Sequence, residues 1–201
     1  LLVYWSDNNK EKMIKIIKVA LAFLLFIAVF SHAEIQYPQK ITFDRLEYFH
    51  AYEGTNASGD VFVVEYLPQG ETLEKFNQMI TYSELRNVKA KDLKQYVETM
   101  SKDTIAPIFS KTYYRSQDSS KNEYYLMKMG VQGNIAEYMV FRFMVKDDHV
   151  AYYLYSDRSY EGLNDHWMAI IKDRNSYWLN SIRALRSEER RVGKECRSRW
   201  S

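Results

Sequence analysis

The alternation of apolar and polar residues through the middle of the chain predicts strands. Residues 41–52 and 60–67 read as two of them, separated by Glu53-Gly-Thr-Asn-Ala-Ser-Gly59, a turn-forming run in which Gly54 and Gly59 are free to take positive φ. In the second strand Val61, Val63 and Glu65 fall on one face, and Phe62, Val64 and Tyr66 on the other. Pro68-Gln-Gly70 stops it, because proline has no N–H to give to a ladder. Thr72 then stands as an N-cap, with Leu73, Phe76 and Ile80 behind it at helical spacing. After a break near Asn87, the set Leu93, Tyr96, Val97 and Met100 predicts a second helix that ends before Pro107.

Four more strands are expected over residues 108–116, 123–131, 135–145 and 149–156. Short hydrophilic turns separate them, and gaps of that length favour antiparallel neighbours, because a parallel crossover needs a dozen residues or more. Along 138–145 one face is wholly apolar (Met139, Phe141, Phe143, Val145), and the other is mixed (Tyr138, Val140, Arg142, Met144). From Leu163 to Leu185 the apolar positions Trp167, Ile170, Ile171, Tyr177, Trp178, Ile182 and Leu185 describe a long amphipathic helix. The expected order is ββααββββα: an α+β fold, an antiparallel sheet of about six strands with helices packed on it.

The two ends have a different texture. Met13-Ile-Lys-Ile-Ile-Lys18, the uncharged 12-residue run Val19 to Phe30, and Ser31-His32-Ala33 are the three parts of a secretory signal peptide. The run is shorter than the roughly 20 apolar residues of a membrane span. Cleavage after Ala33, and a periplasmic or secreted destination without stable membrane insertion, are therefore expected. Residues 1–12 read as translated upstream sequence. Residues 187–201 resemble a vector- or adapter-derived tail, EERRVGKECRSRW, and are set apart from the fold. That leaves 34–186 as one domain without repeats, low-complexity runs or a Gly/Ser linker.

Charge changes meaning once the ends are removed. The whole chain carries a formal +2, but residues 34–186 hold 19 basic and 21 acidic side chains. No case remains for nucleic acid or an anionic membrane as partner. The one cysteine, Cys196, lies in the tail, so thiol catalysis, disulfides and cysteine-ligated zinc are not expected of the domain.

Candidate chemistry is sparse. His50, His149 and His166 are the histidines of the domain. Asp147-Asp148-His149 could be a fragment of a metal site, but it sits in an expected hairpin turn, where Asp and His collect for conformational reasons. No HExxH or second nearby histidine completes a ligand set. Asp165-His166 opens the last helix, where an acid suits the helix dipole. Glu65, Glu71 and Glu137 are scattered, and no GxSxG, GxGxxG or P-loop occurs. Asn56-Ala-Ser58 matches a glycosylation acceptor. No catalytic, metal or cofactor residue is assigned, and no cofactor is expected.

The abundant feature is tyrosine. Tyr113-Tyr114, Tyr124-Tyr125 and Tyr152-Tyr153 are adjacent pairs in expected strands, each placing one ring on each sheet face. Such rings could form an aromatic binding surface. The favoured reading is that both faces are covered by helices, since aromatic residues are ordinary sheet formers.

The stretch Val63-Val-Glu-Tyr-Leu-Pro-Gln-Gly-Glu-Thr-Leu-Glu-Lys-Phe-Asn-Gln-Met-Ile-Thr81 resembles a segment of small exported bacterial proteins, in which a strand ends in Pro-x-Gly-Glu-Thr and runs into a helix carrying an aromatic and a Met. The element order, closing on one long helix, is similar to the PsbP/DcrB-like αβα sandwich. The resemblance implies a compact, non-catalytic accessory domain and assigns no site. The function expected is an exported accessory or binding domain for an unknown protein or small apolar ligand. The alternatives are an envelope-complex subunit using a tyrosine-rich face, or a hydrolase-like enzyme whose polar residues converge in space. A pocket gathering one of the histidines with two carboxylates would favour the enzyme.

Overall fold

The computed structural model describes residues 37–102, 108–116 and 122–185. The signal-like segment 13–33, residues 1–12, the tail 187–201 with Cys196, and most of the expected turn 117–122 lie outside the described residues. The elements are β1 (Lys40–Phe43), β2 (Leu46–Thr55), β3 (Val61–Pro68), β4 (Gln78–Lys89), a 3-10 turn (Ala90–Asp92), α1 (Leu93–Lys102), β5 (Ile108–Arg115), β6 (Tyr124–Gln132), β7 (Ile135–Lys146), β8 (His149–Ser159) and α2 (Asp165–Ala184). All eight strands form one antiparallel sheet in the order β1-β2-β3-β4-β8-β7-β6-β5. The chain thus lays down two four-stranded meanders joined along β4 and β8, with α1 as the connection.

Three expectations need correction. Among the described residues the sheet has eight strands rather than about six, and the order is four strands, a helix, four strands, a helix. The single strand expected over 41–52 is a hairpin, because Asp44 and Arg45 turn the chain with φ of 48° and 70°. Two adjacent residues with positive φ form the tight turn that matches the twist of paired strands, although neither is the glycine or asparagine usual there. The helix expected from Thr72 does not form.

Local hydrogen bonds explain that last departure. The Lys75 N–H donates to the Thr72 Oγ1 at 3.3 Å, and the main chains of Thr72 and Lys75 bond reciprocally. The Glu71 carboxylate accepts the Asn77 N–H at 2.9 Å, the Asn77 Nδ2 at 3.1 Å and the Gln78 N–H at 3.2 Å. Side chains that satisfy nearby N–H groups compete with the helical ladder, and here they win. The closed loop drives Phe76 inward, where the Arg158 guanidinium lies 4.0 Å above its ring and the Tyr160 hydroxyl bonds both its N–H and its C=O. Ile80, Thr81 and Tyr82 then continue as strand, the conformation that β-branched and aromatic residues favour.

One helix lies on each face of the sheet. Leu93 and Val97 of α1 pack with Leu126, Phe141, Phe143 and Val150. Trp167, Ile171, Trp178 and Ile182 of α2 pack with Tyr138, Val140 and Tyr155 on the other face. Burying each of these large side chains contributes about 1.5–3 kcal/mol. The tyrosine pairs divide as expected: Tyr124 joins the α1 side and Tyr125 the α2 side, and Tyr152 and Tyr153 separate likewise. Tyr113 and Tyr114 lie on β5 opposite Leu126 and Tyr125.

The mixed face of β7 is the one under α2, and Arg142 explains the mixture. Its guanidinium donates to the carbonyls of Ile182, Arg183 and Leu185 and to Glu123 Oε1 at 2.6 Å. It therefore satisfies carbonyls left open at the end of α2 and sits at the negative pole of the helix. At the opposite end the Asn164 Oδ1 accepts the Trp167 N–H at 2.8 Å.

Candidate ligand groove

The face covered by α2 also carries an open groove of about 460 Å³. Its wall on the sheet side is the β1–β2 hairpin, through Asp44, Leu46 and Tyr48; its wall on the helix side is His166, Ala169, Ile170, Asp173, Arg174 and Trp178. Gln78, the first residue of β4, completes it. Leu46 and Ile170 are large apolar side chains left exposed at 51% and 37%, whereas Tyr48 and Trp178 are buried. The groove exists because α2 buries the row Trp167, Ile171, Trp178 and Ile182, and its neighbouring row then overhangs the hairpin.

A buried polar network adjoins the groove. The Tyr48 hydroxyl donates to Gln78 Oε1 at 3.0 Å, and Gln78 Nε2 donates to Asp157 Oδ2 at 3.0 Å. Asp157 also accepts the Tyr155 hydroxyl at 3.0 Å and the Trp167 indole N–H at 2.6 Å. Burial raises the Asp157 carboxyl above its usual range, and three neutral donors only partly oppose it. Burial, with the charge of Asp157 next, pushes the Tyr155 hydroxyl far above ten. The hairpin is tied to the helix by an ion pair between Arg174 and Asp44.

The residues singled out in the sequence do not assemble into one site. His166, Asp44 and Asp173 all line the groove, a histidine and two carboxylates in one cavity. Asp44, however, is engaged by Arg174, and His166 makes no hydrogen bond or ion pair among the described residues. His50 lies on β2 with its Nε2 3.3 Å from Glu53, and His149 opens β8 with its Nε2 3.6 Å from Glu84. Asp147 has φ of 52° in the β7–β8 turn, and Asp148 pairs with Lys89 at 3.3 Å. Asp165 stands in the first turn of α2. Glu137 pairs with Arg158 at 3.2 Å, Glu71 closes the loop before β4, and Glu65 is raised by burial. Asn56 Oδ1 accepts the Val61 N–H at 3.0 Å in the β2–β3 turn. Among the described residues no group of three or more His, Cys, Asp or Glu could hold a metal ion, and no helix is long and apolar enough to cross a membrane.

Sequence reasoning missed Tyr48, Gln78, Asp157 and Arg174. Asp157 had the only available signal, an acid one step beyond an otherwise apolar strand. Gln78 was hidden inside the expected helix.

A protein-family model matches residues 35–186. The chain belongs to that uncharacterised family. This family member matches no curated protein. Among solved structures it is similar to the crystal structure of human STARD10, at 11% identity over 66% of this chain and 68% of that chain, with a TM-score of 0.35.

Proposed function

We propose that this chain is an exported, non-catalytic binding module that takes a small, partly apolar ligand in the groove between α2 and the β1–β2 hairpin. The observation that carries the reading is the groove itself: exposed apolar walls at Leu46 and Ile170 over an aromatic floor of Tyr48 and Trp178. Small-ligand sites have that character and that size. The adjoining polar groups are committed to one another, with Tyr48 bonded to Gln78, Gln78 to Asp157, and Arg174 to Asp44. They hold a shape and leave no nucleophile paired with a base. Export is supported by the charged, apolar and small-residue sequence of 13–33. The likeness of 63–81 to small exported bacterial proteins supports the same reading.

Two measurements test it. Titration of short alcohols and amines should give saturable binding that Ala169→Trp abolishes by filling the groove from an exposed helix position. Undiminished binding in that variant would place the ligand elsewhere. The N-terminal residue of the protein recovered from cells should be Glu34; a chain retaining residues 13–33 would sink the export reading.

A further inference from the structure

Resting on the binding reading above, we propose that the groove selects an amphiphilic cation: a protonated amine carried on a short apolar body. The hydroxyl donor at its floor is already used. The Tyr48 hydroxyl proton goes to Gln78, and the amide of Gln78 goes to Asp157, so what Tyr48 still offers is acceptor capacity. Burial, followed by the charges of Asp157, Asp44 and Glu71, pushes the Tyr48 hydroxyl well above its usual range, so it stays protonated at neutral pH. Those same three carboxylates lie near enough to act on the floor, with Asp44 shared with Arg174.

The rim has the same sign. Asp173 lines the groove, is exposed, and makes no hydrogen bond or ion pair among the described residues. The permanent positive group is Arg174, and His166 also lines the groove. The Arg174 guanidinium is engaged by Asp44 and lies 5.4 Å from the centre of the Tyr177 ring. An entering ammonium therefore finds at the rim an exposed carboxylate, which acts also on Arg174, and at the floor the aromatic residues Tyr48 and Trp178, a residue class that attracts cations. Its apolar body lies between Leu46 and Ile170. An entering carboxylate meets Arg174 only in competition with Asp44.

Calorimetric titration of the full chain with hexylamine, hexan-1-ol and hexanoate separates the possibilities. Hexylammonium should bind at least about fivefold more tightly than either isostere, as one or two partly exposed charge contacts would give. Asp173→Asn should reduce amine affinity about threefold and leave the alcohol unchanged, and added salt should weaken the amine alone. Equal binding of alcohol and amine overturns the charge preference while the binding reading stands. Tighter hexanoate binding also overturns it and makes Arg174 the selecting group. An amine preference that survives both Asp173→Asn and Tyr48→Phe overturns the assignment to these residues. If none of the three ligands binds, the cation inference and the binding reading fall together.

Discussion

Two buried carboxylates occupy the same face of the same sheet, roughly 20 Å apart along β4 at strand spacing, and their environments have opposite effects. Asp157, at the α2 end, is surrounded by neutral donors: an indole, an amide and a phenol. Glu84, at the other end, accepts the Tyr37 and Tyr82 hydroxyls at 3.0 Å, and also the Lys146 ammonium at 2.5 Å. Arg86 lies 3.7 Å away and His149 3.6 Å away. Burial presses both carboxyls upward; at Glu84 the Lys146 ammonium and the two hydroxyls outweigh it and hold the group below its usual range, whereas Asp157 stays raised. At Asp157 the neutral hydrogen bonds hold the buried acid without overcoming its desolvation, whereas at Glu84 the added cation does. The charged cluster locks one end of the sheet, and the neutral network shapes the floor of the groove at the other.

The largest test of this contrast is Lys146→Met. It leaves Glu84 buried without its closest cation and should cost about 3 kcal/mol in urea unfolding, most of it regained in the double variant with Glu84→Gln. Trp167→Phe removes a neutral donor from Asp157 and should cost less, about 2 kcal/mol. A loss equal to that of Lys146→Met would erase the distinction between the two ends.

The pH dependence sharpens the contrast further. Glu84, lowered from an ordinary 4.5, adds stability that is fully present above that value and is lost as pH falls through its folded pKa. Asp157, raised from an ordinary 3.8, has the opposite sign: its ionised form is penalised at neutral pH, and the penalty fades as pH falls through the raised folded pKa. Unfolding midpoints measured from pH 7 to pH 3 should therefore fall less steeply at first and more steeply below about 4.5. Asp157→Asn should remove the early compensation alone, and Lys146→Met should flatten the acid limb alone. A variant that alters both limbs equally would show the ends to be coupled. The smallest effect is expected of Arg45→Gly, which frees a side chain from left-handed backbone in the hairpin that walls the groove. It should raise stability by no more than about 1 kcal/mol.

Legibility followed the range of the interactions involved. The strands β5 to β8, the helices α1 and α2 and the short hydrophilic turns between the last strands were readable from the pattern along the chain, because each is set by residues close in sequence. The loop before β4 was misread because Leu73, Phe76 and Ile80 do lie at helical spacing. What decides there is Glu71 reaching Asn77 and Gln78, together with Phe76 packing against Arg158 and Tyr160, residues more than 80 positions away. The Asp44-Arg45 turn lacked the glycine or asparagine that marks most hairpins of its length.

By itself the sequence determined that an α+β chain with apolar residues on both faces of its strands would need covering on both sides. It also fixed the positions of two amphipathic helices able to do so. Periodicity acts through neighbours and is written residue by residue. Only the tertiary structure decided that β4 pairs with β8, that α2 lies across the hairpin, and that Tyr48, Gln78, Asp157 and Trp178 meet. Those partners are between 21 and 130 residues apart in the chain, and nothing local sets which buried side chains share a wall. The groove is a product of packing, and packing is settled only when the whole sheet has closed.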